Sequence, residues 1–408
     1  MWVRYESGIW RVVTNNEVDL KVSTVLEAAK DAGVKPSTRL RAAVRNYAAP
    51  KVSIHADLFN ANEDIYVFRN VVFNTAERRE YPHSPEFYST IQLPYDFDAN
   101  STCPTWVRVM EALDRRVGYE LSAFLQEIMG YTLTSVRTAQ RTFWFQGLPG
   151  GGKTTFLEGV RAAFGKYTGT LTAKNLDSDF GLMDIPGKRA LVCPEVNAKF
   201  LESTETLNSL VDGGQYEIQR KFKDALEFYN RAVILWAMNR IPRIDSPENG
   251  IFRRALLIKM PAIPLGEQEA WIIPAVRREG AEIFQWALQG LDRYLENGGF
   301  TIPEQVNMDT EAWINSNDPI RRFLNEWYTT DTDTDRHEWV PVADLYRHYK
   351  VWAASESAHP IRKLKFNEDL RERFGLTEYR KEDRWWRGLV MTEYGRAQLD
   401  CESDFVHL

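Results

Sequence analysis

Cysteine is scarce in this sequence, and long apolar runs are missing from it. The three cysteines, Cys103, Cys193 and Cys401, stand far apart and lack the paired spacing of a zinc site or a disulfide framework. No run of about 18 apolar residues occurs, and the start MWVRYESGIW has no basic segment followed by a hydrophobic one. We therefore expect a cytoplasmic protein without a membrane span, an export signal or a structural metal.

The sequence also lacks a large excess of charge of one sign. Its 51 Lys and Arg against 57 Asp and Glu give a net charge of −6, and 44% of its residues are hydrophobic. A protein that passively coats nucleic acid needs a large basic excess, so this class is excluded, although a local basic surface remains compatible with the composition. The length fits two or three folded domains.

The N-terminal part, residues 1–130, mixes short strand-like and helical patterns. Strand-like runs occur at residues 9–13 and 65–73, and a helical pattern covers residues 25–32. A helix is predicted at 120–129, because its apolar residues recur at the spacing of one helix face. We predict a mixed α/β domain for this part.

Short apolar runs then alternate with helical or polar segments. The runs are TFWFQ at 142–146, RALVC at 189–193, AVILWAM at 232–238 and ALLI at 255–258. Strands that are apolar on both faces and alternate with helices indicate a sheet covered on both sides, hence an α/β core. The composition changes again near residue 316, where we place the start of a small third domain.

A phosphate-binding loop is the most specific motif. Residues GLPGGGKT at 147–154 satisfy GxxxxGK[ST], after an apolar strand and before a helical stretch. Glycines let backbone N–H groups converge on a phosphate, the helix N-terminus adds positive potential, Lys153 reaches the β/γ oxygens and the Thr154 hydroxyl binds Mg²⁺. The predicted nucleotide-binding residues are Gly147, Leu148, Pro149, Gly150, Gly151, Gly152, Lys153, Thr154 and Thr155. The alternative is a flexible glycine-rich turn.

Polar residues follow two of the later apolar strands. Glu195 comes after RALVC, separated from it only by Pro194, and is placed to hold the metal and polarise the attacking water. Pro194 stands where many such enzymes carry a first acid. Asn239 ends the next run and can orient the lytic water, although Asn shortly before Pro is also ordinary turn chemistry.

Two adjacent arginines, Arg253 and Arg254, precede the last apolar strand. If subunits form a ring, one of them can reach the neighbour's nucleotide as an arginine finger. The alternative is a solvated strand edge, and the sequence does not choose between the two residues.

The order of these motifs resembles the superfamily 3 helicases, and the chain is more closely similar to the phage and plasmid primase-helicase type, to which the poxvirus helicase-primase also belongs. FLQEIMGYTLT at 124–134 resembles the segment before that family's motor, and NRIPRID at 239–245 and FRR at 252–254 resemble its sensor and arginine segments. The resemblance implies an AAA+ type P-loop ATPase that hydrolyses ATP with Mg²⁺ and translocates on DNA, as a homo-hexamer, in the host cytoplasm if phage-encoded.

The resemblance also implies a domain division and a DNA-contacting hairpin. The domains would be a collar-like domain at 1–130, the motor at 131–315 and a winged-helix-like domain at 316–408. The hairpin would consist of strand-like pieces at 216–222 and 225–229 around a Lys-Asp turn. Its basic tip would follow single-stranded or forked DNA in the ring channel. The predicted DNA-binding residues are Arg220, Lys221, Phe222 and Lys223.

Gln215 stands after VDGG, where the family commonly has an acid, and Asp212 comes before the glycines. No primase-like acidic constellation precedes the motor, so we expect a helicase that works with a separate primase or polymerase. The C-terminal residues 341–388 hold 11 basic and 8 acidic residues, which fits DNA contact or a docking module.

The alternative functions are an ATP-gated initiator or loader that binds DNA without processive unwinding, and a small-molecule kinase. Pro194 and Gln215 leave the loader open. The hairpin, Asn239 and the arginine pair weigh against the kinase, because these features serve a ring motor.

Overall fold

The computed structural model describes residues 1–408 except 173–175, 177–180, 195–203, 221–222, 242–243, 245–249, 331–338, 357–359, 381–383 and 404–408. The chain divides into two compact units. The first comprises Met1–Asn197, Glu205–Ile241 and Arg254–Val306, and the second Ala198–Thr204, Pro242–Arg253 and Asn307–Leu408. Within the described ranges, no helix combines the length and apolar character that a membrane crossing requires.

The N-terminal region contains a hairpin, a helix pair and a small sheet. Strands β1 (Trp2–Glu6) and β2 (Ile9–Val13) form the hairpin, helices α1 (Asn15–Ala28) and α2 (Thr38–Ala48) follow it, and β3 (Ile65–Val67), β4 (Val72–Asn74) and β5 (Arg79–Tyr81) form an antiparallel sheet. The single strand-like run predicted at 65–73 is two strands, because the Phe68 N–H donates to the Val71 carbonyl and reverses the chain.

Two helices lead into the central sheet. Helix α3 (Pro104–Val117) begins with proline in its first turn and ends at Gly118, whose φ is +80°. The Asp114 carboxylate accepts hydrogen bonds from the N–H groups of Leu121 and Ser122 and so fixes the start of α4 (Ser122–Thr132). The helix predicted at 120–129 is thus confirmed with slightly later bounds.

The central sheet has five parallel strands. In chain order the elements are β6 (Thr142–Gln146), α5 (Lys153–Phe164), β7 (Thr168–Thr170), β8 (Ala190–Cys193), α6 (Glu205–Val211), β9 (Gln215–Arg220), β10 (Lys223–Tyr229), β11 (Val233–Met238) and β12 (Ala255–Lys259). The sheet order is β12-β6-β11-β8-β7, whereas β9 and β10 form a separate hairpin. All four apolar runs predicted as strands belong to this sheet, which confirms the α/β core.

Helices from both sides of residue 130 cover the sheet. Helix α7 (Ile272–Arg278) precedes α8 (Gly280–Glu296), which packs on α4 at backbone contact. A Cβ on Gly290 would lie 2.0 Å from the Gln126 carbonyl oxygen, so only glycine allows this approach. The core continues from Phe124 of α4 to Phe143 of β6. The predicted collar and motor domains therefore share one hydrophobic core.

Residues Asn307–Leu408 form the largest part of the second unit, and the first helix of this part begins three residues earlier, in the first unit. The elements of this part are α9 (Glu304–Asn317), α10 (Pro319–Trp327), β13 (Tyr328–Thr330), β14 (Val340–Pro341), α11 (Val342–Ser355), α12 (Lys363–Glu372), β15 (Glu378–Arg380), β16 (Arg384–Trp386), β17 (Leu389–Met391) and α13 (Glu393–Ser403). Phe323, Tyr349, Trp352, Phe366 and Trp386 are buried in its core. The winged-helix assignment of this unit remains a prediction.

Candidate functional site

The predicted phosphate loop lies between β6 and α5, and its conformation depends on its glycines. Gly150 and Gly152 adopt φ values of +82° and +89°, which L side chains rarely adopt. A Cβ on Gly147 would lie 2.7 Å from the Met260 carbonyl oxygen, and one on Gly151 would lie 2.6 Å from that of Pro261. The loop backbone therefore passes along the end of β12 at a distance that larger residues do not permit.

Lys153 is held within the loop as the first residue of α5. Its Nζ donates to the carbonyl oxygens of Gly147 at 2.6 Å and Leu148 at 2.9 Å, and only 8% of the residue is exposed. Burial lowers the pKa of Lys153. In the described chain no side chain caps the N-terminus of α5. An anion can therefore meet both the lysine ammonium and the helix N-terminal N–H groups.

Asn239 lies beside this loop because β11 pairs directly with β6. The Gly147 N–H donates to the carbonyl oxygen of Met238 at 3.2 Å, and the exposed Asn239 follows Met238. Strand β8 lies on the far side of β11 and ends two residues before Glu195, which is outside the described residues. The roles of Asn239 and Glu195 stay predictions.

A cavity of about 500 Å³ opens next to the phosphate loop. Gly151, Gly152 and Thr155 form one wall, α3 contributes Arg108 and Arg116, and residues 260–272 close another side. This volume is in the range of small-molecule sites. Sequence reasoning missed the cavity, since its walls come from three segments that the sequence does not mark as neighbours.

Residues 263–271, which we call the strap, are tied to α3 by two ion pairs. Arg108 Nη2 lies 2.9 Å from Glu269 Oε1, and Arg116 Nη2 lies 2.5 Å from Glu267 Oε2. The Arg108 guanidinium also lies over the Trp271 ring, 5.3 Å from its centroid. Gln268 lies between these two acids in the chain, and its side-chain amide contacts Gly150. A Cβ built on Gly150 would lie 2.3 Å from the Gln268 Nε2. The strap thus lies over both the cavity and the phosphate loop.

The two predicted finger arginines differ sharply. The Arg254 side chain is 5% exposed, and its Nε and Nη2 lie 2.6 and 2.5 Å from the two carboxylate oxygens of Asp212. Its carbonyl accepts from the Thr142 N–H, so Arg254 lies at the amino edge of the sheet, opposite the phosphate loop. Arg253 is exposed at the end of a 3-10 turn, Gly250–Arg253.

Two family models match separate parts of the chain. The D5 N terminal like family matches residues 2–113, and a family of unknown function, DUF5906, matches residues 145–254. The second match includes the phosphate loop, Asn239, Arg253 and Arg254.

Solved structures of the NrS-1 C-terminal region in the apo form also match. Two of them share 15% identity with this chain, at a TM-score of 0.47, and cover 74% of it and 80% or 81% of the solved chain. A third has 14% identity and a TM-score of 0.45.

The predicted hairpin exists as β9 and β10. Lys223 pairs with Arg220 and begins β10 rather than forming the predicted Lys-Asp turn. Lys221 and Phe222 lie outside the described residues, as do the side chains of Arg220 and Lys223. The register nevertheless brings the backbones of Arg220 and Lys223 together at the tip.

The hairpin is held at its base. Gln215 Nε2 donates to Glu227 Oε2 at 2.9 Å, Tyr216 Oη donates to the Thr206 carbonyl at 2.8 Å, and the Tyr216 and Phe228 rings stack with centroids 5.7 Å apart. Gln215, which departs from the resembled family, therefore serves as a contact across the hairpin.

Four basic residues of the C-terminal module are paired with acidic residues within it. Arg371 and Arg384 both pair with Glu378, Arg373 pairs with Asp318 and Asp369, and Lys365 lies 3.4 Å from Asp369. These charges bind the module's own elements together.

Proposed function

We propose that this chain is an ATP-dependent DNA helicase of a phage or related mobile element, with an AAA+ type motor that works as a homo-hexameric ring on single-stranded DNA. The D5 N terminal like match at residues 2–113 supports this class of replication protein. The sheet supports a motor, because the phosphate-loop strand β6 and the Asn239 strand β11 are neighbours whose carboxyl ends share one edge.

The observation that carries the proposal is the position of Lys153. Its ammonium is buried at the uncapped N-terminus of α5 and, among the described residues, hydrogen-bonds only to the loop carbonyls of Gly147 and Leu148. A triphosphate can replace those weak acceptors with charged oxygens, which makes stronger hydrogen bonds. The cavity beside Thr155 would take the nucleoside. Thr154 and Glu195 would hold Mg²⁺, which would neutralise charge on the β- and γ-phosphates.

The arginine pair supports a site shared between subunits. Arg254 lies at the amino edge of the sheet, whereas the phosphate loop lies at the carboxyl edge, at least four residues of strand away. At about 3.3 Å per residue, that separation exceeds 13 Å. Arg254 is therefore not placed to serve the phosphate loop of its own sheet. We propose that Arg253 reaches the nucleotide of a neighbouring subunit and that hydrolysis moves the β9–β10 hairpin with its bound DNA.

Strand displacement from forked DNA tests the proposal. Labelled forks with one single-stranded tail of each polarity would be incubated with ATP and Mg²⁺, with Lys153→Ala as the inactive variant and Lys166→Ala as the matched lysine control. Displacement that needs ATP and Lys153, from one tail polarity, is expected. ATP hydrolysis that Lys153→Ala leaves unchanged would overturn the ATP site itself.

The ATP-gated initiator or loader is the second candidate. Pro194 directly follows β8, at the position where many hydrolases of this type carry an additional acid. Slow turnover combined with tight, ATP-dependent DNA binding and no displacement would favour this function over the helicase.

A further inference from the structure

Helix α2 and the 3-10 turn after it, Ala49–Val52, carry a strongly basic segment in an acidic chain. Residues 35–51 contain five basic residues, Lys35, Arg39, Arg41, Arg45 and Lys51, and no Asp or Glu, whereas the whole chain has a net charge of −6. The segment belongs to the N-terminal region and contributes no residue to the nucleotide cavity.

The arginines of α2 divide into two groups. Arg45 Nη1 lies 2.9 Å from Asp19 Oδ1 of α1, and Arg41 Nε lies 3.8 Å from Asp19 Oδ2. These two join the helix pair. Arg39 is exposed, and among the described residues it forms no ion pair. The same is true of Lys51, so both charges face solvent instead of an acidic partner.

An exposed aromatic residue lies between these two charges. Tyr47 is 69% exposed, and Lys51 Nζ lies over its ring, 4.6 Å from the centroid. Arg39, Ala43 and Tyr47 recur every four residues on the outward face of α2, and Lys51 continues this spacing. At 1.5 Å per residue, Arg39 and Tyr47 are roughly 12 Å apart along the helix axis.

We propose that Arg39, Tyr47 and Lys51 form a binding surface for single-stranded DNA outside the motor. Exposed cations bind the phosphate backbone, and an exposed ring between them can stack an unpaired base. A duplex keeps its bases paired and offers Tyr47 no face to stack on, which is why the surface selects the single strand. This surface is separate from the proposed ATP site and does not depend on ATP hydrolysis.

The test measures binding of the full chain to labelled oligo(dT) by fluorescence anisotropy, without nucleotide or Mg²⁺, between about 50 and 200 mM salt. Arg39→Gln/Lys51→Gln is expected to weaken binding and to reduce the slope of log affinity against log salt by roughly 1.4, because two phosphate contacts at about 0.7 each are lost. Arg11→Gln/Lys21→Gln, which removes the same charge from exposed positions of the same region, is expected to leave the slope unchanged.

Substitutions of Tyr47 distinguish base stacking from electrostatic binding. Tyr47→Ala is expected to weaken binding on the order of 10-fold, while Tyr47→Phe keeps the ring and the affinity. Circular dichroism of each variant verifies folding. Equal weakening by the two double variants, no effect of Tyr47→Ala, or tighter binding of wild type to a duplex or to oligo(rU) would overturn the proposal. Lys153→Ala is measured in the same assay as a control and should bind oligo(dT) as tightly as the wild type. Failure of the proposed ATP site can therefore be distinguished from failure of this surface.

Discussion

The Arg254 guanidinium and the Asp212 carboxylate form a bidentate ion pair at the amino edge of the central sheet, with N–O distances of 2.6 and 2.5 Å. The Arg254 side chain is 5% exposed and that of Asp212 is 28% exposed. Asp212 directly precedes Gly213 and Gly214 at the base of the β9–β10 hairpin, and the Asn230 N–H donates to the Gly214 carbonyl. The pair therefore links the start of β12 to the hairpin.

Removing Asp212 should destabilise the protein. In Asp212→Ala the Arg254 charge stays buried without its carboxylate, which costs about 3 kcal/mol in unfolding free energy. Urea unfolding followed by tryptophan fluorescence measures the change. Glu296→Ala, at an exposed acid at the end of α8 in the same unit, is the control and should change the unfolding free energy by less than about 0.5 kcal/mol. A similar stability for both variants would contradict the structural role of the pair.

Substitution of Arg253 and substitution of Arg254 should affect different properties of the protein. Arg253→Ala is expected to keep wild-type stability and nucleotide affinity but to lower kcat by about 10³-fold or more, as loss of an arginine finger does. Arg254→Ala is expected to lower stability, because the buried pair is broken. Steady-state ATPase rates and urea unfolding of both variants, with Arg278→Ala as an exposed control, separate the two roles. Wild-type kcat in Arg253→Ala would exclude it as the finger.

The central sheet could be predicted from the sequence because its strands are buried on both faces. Val233–Met238 of β11 is buried throughout and reads as an unbroken apolar run, and β6 and β12 read the same way. At 65–73 the local pattern was insufficient, because the turn closed by the Phe68–Val71 hydrogen bond has only two central residues, Arg69 and Asn70, within an otherwise apolar run.

The glycine-rich loop at 147–154 could also be located from the sequence, whereas the cavity beside it could not. The phosphate-binding role of this loop stays a prediction. The loop is a contiguous motif, and the local backbone geometry requires its glycines. The strap depends on pairs such as Arg108 with Glu269, which are 161 residues apart in the chain. Charged surface residues carry no sequence signal for such pairing. The pattern of Met110, Leu113 and Val117 ahead of Gly118 would have identified α3, although not what it faces.

The strap should control nucleotide release more than stability. Glu267→Gln/Glu269→Gln removes two ion pairs between partly exposed side chains, so the unfolding free energy should fall by less than about 1 kcal/mol per pair. We expect faster dissociation of a fluorescent ATP analogue, by a factor on the order of 10, because a looser strap uncovers the cavity. Stopped-flow release measures this rate. Glu80→Gln/Glu86→Gln, two exposed acids remote in sequence from the cavity, should leave it unchanged, and an equal rate in the strap variant would refute the role.

The second unit should lose stability as the pH falls below neutral, because of His348. This residue is buried in α11 with Nδ1 2.5 Å from Tyr328 Oη, and burial, followed by the nearby Arg347 charge, lowers its pKa below the ordinary 6.5. Above pH 6.5 the ring is neutral in the folded and unfolded states alike. Below that value the unfolded chain takes up a proton that the folded unit does not, so unfolding is favoured progressively until the folded pKa is reached.

Replacing the ring should remove this pH dependence. His348→Gln cannot take up the proton, so its unfolding free energy should fall less than that of the wild type between about pH 7.5 and pH 5.5. Urea unfolding monitored by tryptophan fluorescence at both pH values gives the two differences. His55→Gln serves as the matched control, since this exposed histidine lies in the other unit and its loss should preserve the wild-type pH dependence. Parallel pH profiles for wild type and His348→Gln would show that the acid sensitivity comes from carboxylates instead.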